Sequence, residues 1–336
     1  MIKYKKGEDK SFWLYSMNVE DLAMFRECFH VDNSCASIIA NAHSITENKV
    51  LNKLTVNNNI LFCRPIIIQG DFKKYEFVDC CKSEATTFRG FCTIHDREIF
   101  KPIEDKNDYI VGNEEQEYLF AYRAFAKEWF EYKKRCAETK KVLELLRKND
   151  DENIAKLFKP TNFDLRDKPL MYEHYITNYR ELKKRRRDFK YYKNAFNISL
   201  DNQDWQKVKT KVIELPWEIQ IAASETVNSS KLNKLFITAF PQNGKSYILL
   251  SYWHRTQNNY NSSIIPDLLN SAIKDQTKHI SFLLLRYGTN IAISPSHPRF
   301  NDKEKRDYIE NIFSAKIREP KLFMPEEITD DIDILS

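Results

Sequence analysis

The sequence predicts an α+β fold, and three observations lead to that class. Apolar residues recur at helical spacing from Asn113 to Asn149, and a second helical pattern covers residues 170–196. From about Lys209 the hydrophobic period falls to two, which is typical of strands with one buried face. The chain has only six glycines and no alternation of strands and helices, which argues against a doubly wound nucleotide-binding fold.

The first predicted segment, residues 1–110, contains short elements. Residues 19–29 have helical spacing, and the stretches NILFC and KKYEFVD are typical of short strands. All but one of the seven cysteines lie in this segment, so its composition differs from that of the rest of the chain.

The second segment, residues 111–200, is predicted to be a long helical hairpin. Its first helix opens at Asn113 and has acidic residues in its first turn, where they interact favourably with the helix dipole. Pro160 and Pro169 interrupt the chain before the second helix begins. Two long helices joined by such a segment are expected to run antiparallel.

The third segment, residues 201–336, is predicted to be a mainly antiparallel sheet with flanking helices. Asn243–Gly244 between two strand patterns indicates a tight turn. The same stretch is not predicted to bind phosphate, because Ala239 stands where a phosphate loop needs glycine and Lys245 opens a strand. The acidic stretch 325–336 is predicted to be frayed.

Composition and charge limit the cellular compartments and the binding partners that are expected for this protein. The net charge of +5 is compatible with nucleic acid but is not a strong indication of it. The sequence contains no apolar stretch long enough for a membrane span and no apolar signal-peptide region at its start, so a cytoplasmic protein without a membrane partner is expected. In that compartment, seven cysteines are expected to be thiols or metal ligands and not disulfides.

Two cysteine–histidine pairs predict a zinc site in the first segment. One pair is spaced Cys-x7-His and the other, in GFCTIHD, is spaced Cys-x2-His. Thiolate and imidazole in a set of four are the ligands of tetrahedral Zn²⁺, and Gly90 fits a tight turn before the second pair. The predicted ligands are Cys35, His43, Cys92 and His95. Cys80 and Cys81 are competing ligands, and buried thiols without a metal are the alternative interpretation.

These motifs also carry a resemblance. CASIIANAHSI, followed by ATTFRGFCTIHDREIFKPIED and EEQEYLFAYRAF, resembles an uncharacterised bacterial family whose members are found near phage-defence genes. The resemblance continues more weakly through FPQNGKSYILLSYW and NIAISPS, so it covers most of the chain. It implies a role in antiviral defence without implying a mechanism.

The layout is also similar to that of HNH nucleases, which have a treble-clef zinc knuckle and a histidine at the end of the first strand. That resemblance implies that His43 is a general base and Asp96 a ligand of Mg²⁺ or Mn²⁺. Two features depart from the pattern: there is no second Cys-x2-Cys knuckle, and His43 cannot be both zinc ligand and base.

A cationic run in ELKKRRRDFKYYKN suggests contact with nucleic acid. Cations could neutralise phosphates, and the interleaved aromatic residues could stack on bases. The residues predicted to bind are Lys183, Lys184, Arg185, Arg186, Arg187 and Lys190. The run is predicted to cover much of the helix circumference, which favours the alternative interpretation of a solvated face that pairs with acidic residues of the first long helix.

Two functions follow from these observations. The first is a zinc-containing defence protein that binds or senses nucleic acid or a partner protein. The alternative is an HNH-like metal-dependent endonuclease, and the sequence leaves open both the catalytic status and the oligomeric state. A closed zinc site that includes His43 excludes it as a base, whereas a site that leaves His43 out favours the nuclease.

Overall fold

The computed structural model describes residues 25–32, 34–68, 72–104, 107–158, 168–229, 233–263, 265–318 and 332–336. It confirms the predicted α+β class. The strands are β1 (Ala42–His43), β2 (Asn59–Ile68), β3 (Phe72–Cys81), β4 (Thr87–Phe88), β5 (Val208–Leu215), β6 (Ile221–Ser229), β7 (Asn233–Gln242), β8 (Lys245–Trp253) and β9 (Ile291–Ile293).

The helices include the predicted hairpin and a set that flanks the sheet. They are α1 (Thr93–Phe100), α2 (Glu114–Lys148), α3 (Asp151–Phe158), α4 (Lys168–Asp201), α5 (Gln257–Asn261), α6 (Ile265–Asn270), α7 (Ile273–Tyr287), α8 (Pro298–Asn301) and α9 (Lys303–Arg318). Shorter helical turns lie at Glu47–Leu51, Asn52–Leu54, Lys101–Ile103, Trp205–Lys207 and His254–Thr256. Among the described residues, no helix has both the length and the apolar character that a membrane span requires.

A seven-stranded antiparallel sheet forms the centre of the fold, in the order β3-β2-β9-β6-β7-β8-β5. The short strand β9 pairs with β2 on one side and with β6 on the other, and thereby joins two groups of strands that are distant in sequence. The first predicted segment, 1–110, and the third, 201–336, therefore contribute to one sheet, while the hairpin of the predicted segment 111–200 packs against it.

The predicted tight turn joins β7 to β8. Gln242 pairs with Lys245, and the two residues between them, Asn243 and Gly244, have φ of 53° and 79°. Positive φ at both central positions is the requirement of a type I′ hairpin turn, which explains the Asn–Gly pair. Lys245 begins a strand, as predicted, so this stretch lacks the helix N-terminus of a phosphate loop.

The helical hairpin is antiparallel, as predicted. Near the start of α2 the Tyr118 hydroxyl donates to the Phe196 carbonyl, and later in α2 Tyr132 donates to the Leu182 carbonyl at 3.2 Å. Asn113 caps α2 by accepting a hydrogen bond from the Gln116 N–H at 3.1 Å. The helix ends at Asn149, whose left-handed conformation is a common C-terminal cap.

The sheet lies between two helical layers. Successive residues of β7 point to opposite faces, so this strand contributes side chains to the core on each side. Phe236 packs against Phe125 of α2 and Phe196 of α4, with ring centroids 6.3 and 5.4 Å away. Ile237 joins the opposite core, which contains apolar residues of α7 and α9 such as Ile280. The alternation explains the period of two in the sequence.

An aromatic core attaches the N-terminal segment to the hairpin. Phe29 is fully buried, and its ring lies 5.2 Å from that of Tyr122 and 5.8 Å from that of Phe125. The helix predicted for residues 19–29 is not present at residues 25–29, which have no regular structure, while residues 19–24 lie outside the described part. Phe29 is held by side-chain packing, not by helix formation.

The expectation of a frayed acidic tail is wrong for residues 332–336, while residues 325–331 lie outside the described part. Ile332, Ile334 and Leu335 are at most 1% exposed and belong to the core that contains α7 and α9. Ser281 donates to one carboxylate oxygen of Asp333 and Thr277 to the other. The acidic composition of the stretch concealed three buried aliphatic side chains.

Candidate metal centre

Four side chains converge beside α1. Their ligand atoms all lie within 4.8 Å of one another, which is close enough to hold a metal ion. The four are Cys28, Cys35, Cys92 and His95. Three belong to the set predicted from the sequence, and the fourth is Cys28 in place of the predicted His43, which is not a member of this group.

The N-terminus of α1 positions two of the four side chains. Cys92 is the N-cap of α1, and its sulfur accepts a hydrogen bond from the His95 N–H at 3.5 Å, so both residues face the same point. Gly90 does not have positive φ, so backbone freedom is not the reason for a glycine at this position. A Cβ at Gly90 would lie 2.5 Å from the Phe88 ring, so glycine is needed there for close packing.

Backbone hydrogen bonds bring the other two cysteines to α1. The Phe29 N–H donates to the Gly90 carbonyl at 2.6 Å, which places Cys28 beside Cys92. The Ala40 N–H donates to the Phe91 carbonyl at 2.8 Å, which fixes the chain that follows Cys35. The cluster therefore joins a segment without regular structure to the start of a helix.

The distances around His95 fit a tetrahedral ion. Its Nδ1 lies 3.3 Å from the sulfur of Cys28, 3.5 Å from that of Cys35 and 3.4 Å from that of Cys92. With Zn–S of about 2.3 Å and Zn–N of about 2.0–2.1 Å, a tetrahedral site has nitrogen–sulfur separations of roughly 3.6 Å. One ring nitrogen can form a hydrogen bond along only one direction, so three similar distances indicate a common centre.

Backbone N–H groups point at the sulfurs. The Cys92 N–H donates to the Cys28 sulfur at 3.3 Å, and the Ala36 N–H donates to the Cys92 sulfur at 3.4 Å. Burial acts to raise the pKa of Cys92, but the N–H groups of His95 and Ala36 outweigh it, so this pKa lies below that of an ordinary thiol. Burial raises the pKa of Cys28 to about 12, so its thiolate needs a nearby positive ion at neutral pH.

The other ring nitrogen of His95 faces a carboxylate. Nε2 lies 3.2 Å from Oδ1 of Asp32 and 3.0 Å from the Ser34 hydroxyl, and that hydroxyl donates to the same carboxylate at 2.8 Å. This pattern assigns the proton to Nε2 and leaves the Nδ1 lone pair for a metal, as in the carboxylate–histidine pairs of zinc proteins. Burial, followed by the charge of His30, lowers the pKa of His95, which favours the neutral ring.

A second group of nearby ligand atoms contains His30, Asp32 and His95. It shares His95 with the first group, and its carboxylate is 43% exposed. His30 also lies 3.4 Å from a carboxylate oxygen of Asp201 at the end of α4, so its ring lies between two acidic side chains. Because the first group offers three sulfurs around one nitrogen, it is the better metal site.

The other predicted site residues lie away from the cluster. His43 is on β1, with Nε2 3.3 Å from the Lys82 carbonyl and 3.7 Å from the Glu47 carboxylate. Burial raises the pKa of Asp96, and the charge of Arg123 opposes this rise only in part. Within the described part of the chain, His43 and Asp96 do not belong to any group of three or more ligand residues close enough to hold a metal.

Cys80 and Cys81, the competing ligands, also lie outside the cluster. Both belong to β3, where Cys80 is buried and Cys81 is exposed. None of the seven cysteines forms a disulfide in the structure.

The cationic run lies on α4. Five of its six predicted binding residues are exposed: Lys183, Lys184, Arg186, Arg187 and Lys190. At 3.6 residues per turn these five occupy an arc of about 160°, so they share the outer half of the helix instead of covering most of its circumference. Arg185 turns toward α2 and pairs with Glu128 at 3.1 Å, as the alternative interpretation expected for the whole run.

Cys28 is the ligand that the sequence reasoning missed. The spacing Cys-x6-Cys between Cys28 and Cys35 was a usable signal, because it adds a second thiol before the Cys-x2-His pair. The helical spacing of residues 19–29 concealed it by suggesting that Cys28 belonged to a helix.

Comparison with family models, curated proteins and solved structures found no match to this chain.

Proposed function

We propose that this chain is a zinc-stabilised protein that binds nucleic acid through the outer face of α4. The observation that carries the zinc assignment is the convergence of three sulfurs on Nδ1 of His95 at 3.3–3.5 Å. Three thiolates and one imidazole suit Zn²⁺ better than the hard cations that prefer oxygen. A closed set of four protein ligands makes the ion structural.

The zinc ion stabilises what we call the N-terminal module, residues 25–32, 34–46 and 86–100, which has little regular structure besides α1. β1 and β4 have two residues each, and the segment that carries Cys28 and Cys35 has no regular structure. The metal joins that segment to α1, while Phe29 anchors it to α2. We therefore expect the free energy of metal binding to be largely free energy of folding for this module.

The case for nucleic acid rests on charge. On the outer half of α4, Lys184 pairs with Glu181 at 2.5 Å, whereas Arg186, Arg187 and Lys190 have no salt bridge to any residue in the part of the chain that the structure describes. Exposed cations without acidic partners are available to phosphates. When they neutralise phosphates, the counterions condensed on the nucleic acid are released, and this release drives binding. A role in phage defence rests on the family resemblance alone, and that resemblance does not identify any residue of the binding face.

Removal of two of these cations tests the binding surface. We expect Arg186→Ala/Arg187→Ala to weaken binding of a fluorescent oligonucleotide and to reduce the log–log salt slope by up to about 1.4 for a single strand or about 1.8 for a duplex, because each phosphate contact contributes about 0.7 or 0.9 respectively. Lys303→Ala/Lys305→Ala removes the same charge from α9 and is the matched control. Equal effects of the two variants would show that only net charge matters.

The HNH-like endonuclease is a second candidate, and one observation favours it. His43 is outside the metal cluster, so a zinc ion held there leaves its imidazole available as a base. A divalent ion in such a nuclease supplies stabilisation of the leaving oxygen. His43 itself is enclosed by Lys82 and Glu47, and its side chain is 17% exposed.

His43→Ala separates the two functions. We expect this variant to keep its zinc, because His43 is not a member of the cluster. If the protein is a nuclease, the same change lowers cleavage of plasmid and single-stranded substrates with Mg²⁺ or Mn²⁺ by about 10²- to 10⁴-fold. A parent protein that binds these substrates without cleaving them excludes the second candidate.

A further inference from the structure

One aromatic residue of α4 is exposed where its neighbours are buried. Phe189, Tyr192 and Phe196 are at most 2% exposed and pack toward α2, whereas Tyr191 is 43% exposed. Tyr191 lies on the same side of the helix as the cations, because Arg180, Lys184, Arg187 and Tyr191 follow the spacing i, i+4, i+7, i+11. At 1.5 Å per residue this stripe is about 17 Å long.

The Tyr191 ring is held in place from two sides. The edge of Tyr192 approaches it with ring centroids 5.3 Å apart and an interplanar angle of 83°. Arg255, which follows β8, directs its guanidinium toward the Tyr191 hydroxyl at 3.5 Å. Arg255 is exposed and has no salt bridge to any described residue, so it adds a cation beside the ring. An oriented ring loses less conformational freedom when a ligand binds.

From this juxtaposition, which rests on the proposed nucleic-acid function, we infer that α4 binds single-stranded nucleic acid and that Tyr191 stacks on an unpaired base. Arg180, Lys184 and Arg187 follow the phosphates along the helix, and Arg255 contacts the phosphate next to the stacked base. Cationic side chains that track a strand, together with an aromatic platform, are the usual means of binding a single strand without sequence preference.

The packing of α4 favours a single strand over a duplex. Recognition of B-DNA by a helix requires that the helix enters a major groove about 12 Å wide, and one helix with side chains is already about 10–12 Å across. α2 lies along α4, with Tyr118 and Tyr132 bonded to its backbone, so the pair is about twice as wide as the groove. In addition, a duplex does not offer the face of a base to Tyr191.

Binding of three probes to the full chain tests the inference by fluorescence anisotropy: a dT 20-mer, an abasic strand of equal length and a 20-base-pair duplex. We expect Tyr191→Ala to weaken binding of the dT strand roughly 5- to 150-fold, which corresponds to one stacked base. The loss should vanish on the abasic strand, which keeps the phosphates and lacks the bases. Tyr191→Phe should restore most of the affinity, and Tyr308→Ala, an equally exposed tyrosine on α9, is the control.

The outcomes separate the inference from the function on which it rests. If Arg186→Ala/Arg187→Ala weakens binding but Tyr191→Ala does not, α4 binds phosphates without stacking and the inference is overturned. Duplex binding as tight as that of the dT strand, with no effect of Tyr191→Ala, also overturns it. If neither set of variants changes binding, the proposed function itself is wrong. Unchanged melting temperatures of all variants show that the losses do not come from unfolding.

Discussion

Cys28→Ala is expected to lose its zinc and to unfold the N-terminal module. The Cys28 sulfur lies 3.3 Å from Nδ1 of His95, and the residue is 5% exposed. Its replacement by alanine therefore removes one of the four ligands and leaves a cavity at a buried position. Structural zinc sites in small peptides contribute apparent binding free energies of about 10–16 kcal/mol, and loss of one thiolate removes a substantial part of this. Elemental analysis of the purified protein gives the zinc content, and thermal unfolding gives the loss of stability.

Two variants serve as controls for the loss of zinc. Cys80→Ala removes a thiol that is equally buried but lies outside the cluster, so we expect a modest loss of stability and a full zinc content. His43→Ala removes the histidine that the sequence favoured as fourth ligand and should also keep the metal. Retention of zinc by Cys28→Ala together with its loss from His43→Ala would reverse the assignment.

Ile334→Ala is expected to lower the free energy of unfolding by about 2–5 kcal/mol. Ile334 is 0% exposed, and its backbone N–H donates to the Ser281 hydroxyl at 3.0 Å. Trp217 donates to the carbonyl of the next residue, Leu335, at 3.0 Å, so this segment is held by both its side chains and its backbone. Denaturant unfolding of the purified variant measures the change.

The matched control is Ile273→Ala, which makes the same substitution at a position that is 42% exposed. A surface substitution of this kind usually changes stability by no more than about 0.5 kcal/mol. A loss at Ile334 as small as that at Ile273 would mean that residues 332–336 are not docked in the core.

The sequence predicts the local features of the fold well. The period of apolar residues locates α2, α4 and the strands from β5 to β8, and Asn243–Gly244 identifies the tight turn, because these depend on neighbouring residues. The pairing of β9 with β2 depends on residues more than 200 positions apart, Leu61 and Ile293, and β9 has only three residues. No periodicity can be read from so short a strand, so the sequence does not indicate that the two groups of strands form a single sheet.

The candidate metal site likewise has ligands that the local sequence indicates and a ligand that depends on contacts between distant residues. Cys92 and His95 belong to one helical turn, so their spacing alone indicates that they act together. The choice between Cys28 and His43 depends on which of two segments reaches α1, and this is decided by contacts such as that of Phe29 with Gly90. Since both residues have zinc-binding chemistry, the ligand types could not distinguish them.

X-ray absorption at the zinc edge of the purified protein tests the central claim most directly, because it measures the number and type of the atoms bound to the metal. The arrangement of Cys28, Cys35, Cys92 and His95 predicts three sulfurs at about 2.3 Å and one nitrogen at about 2.0–2.1 Å. A shell of two sulfurs and two nitrogens, or one made only of nitrogen and oxygen, would contradict it.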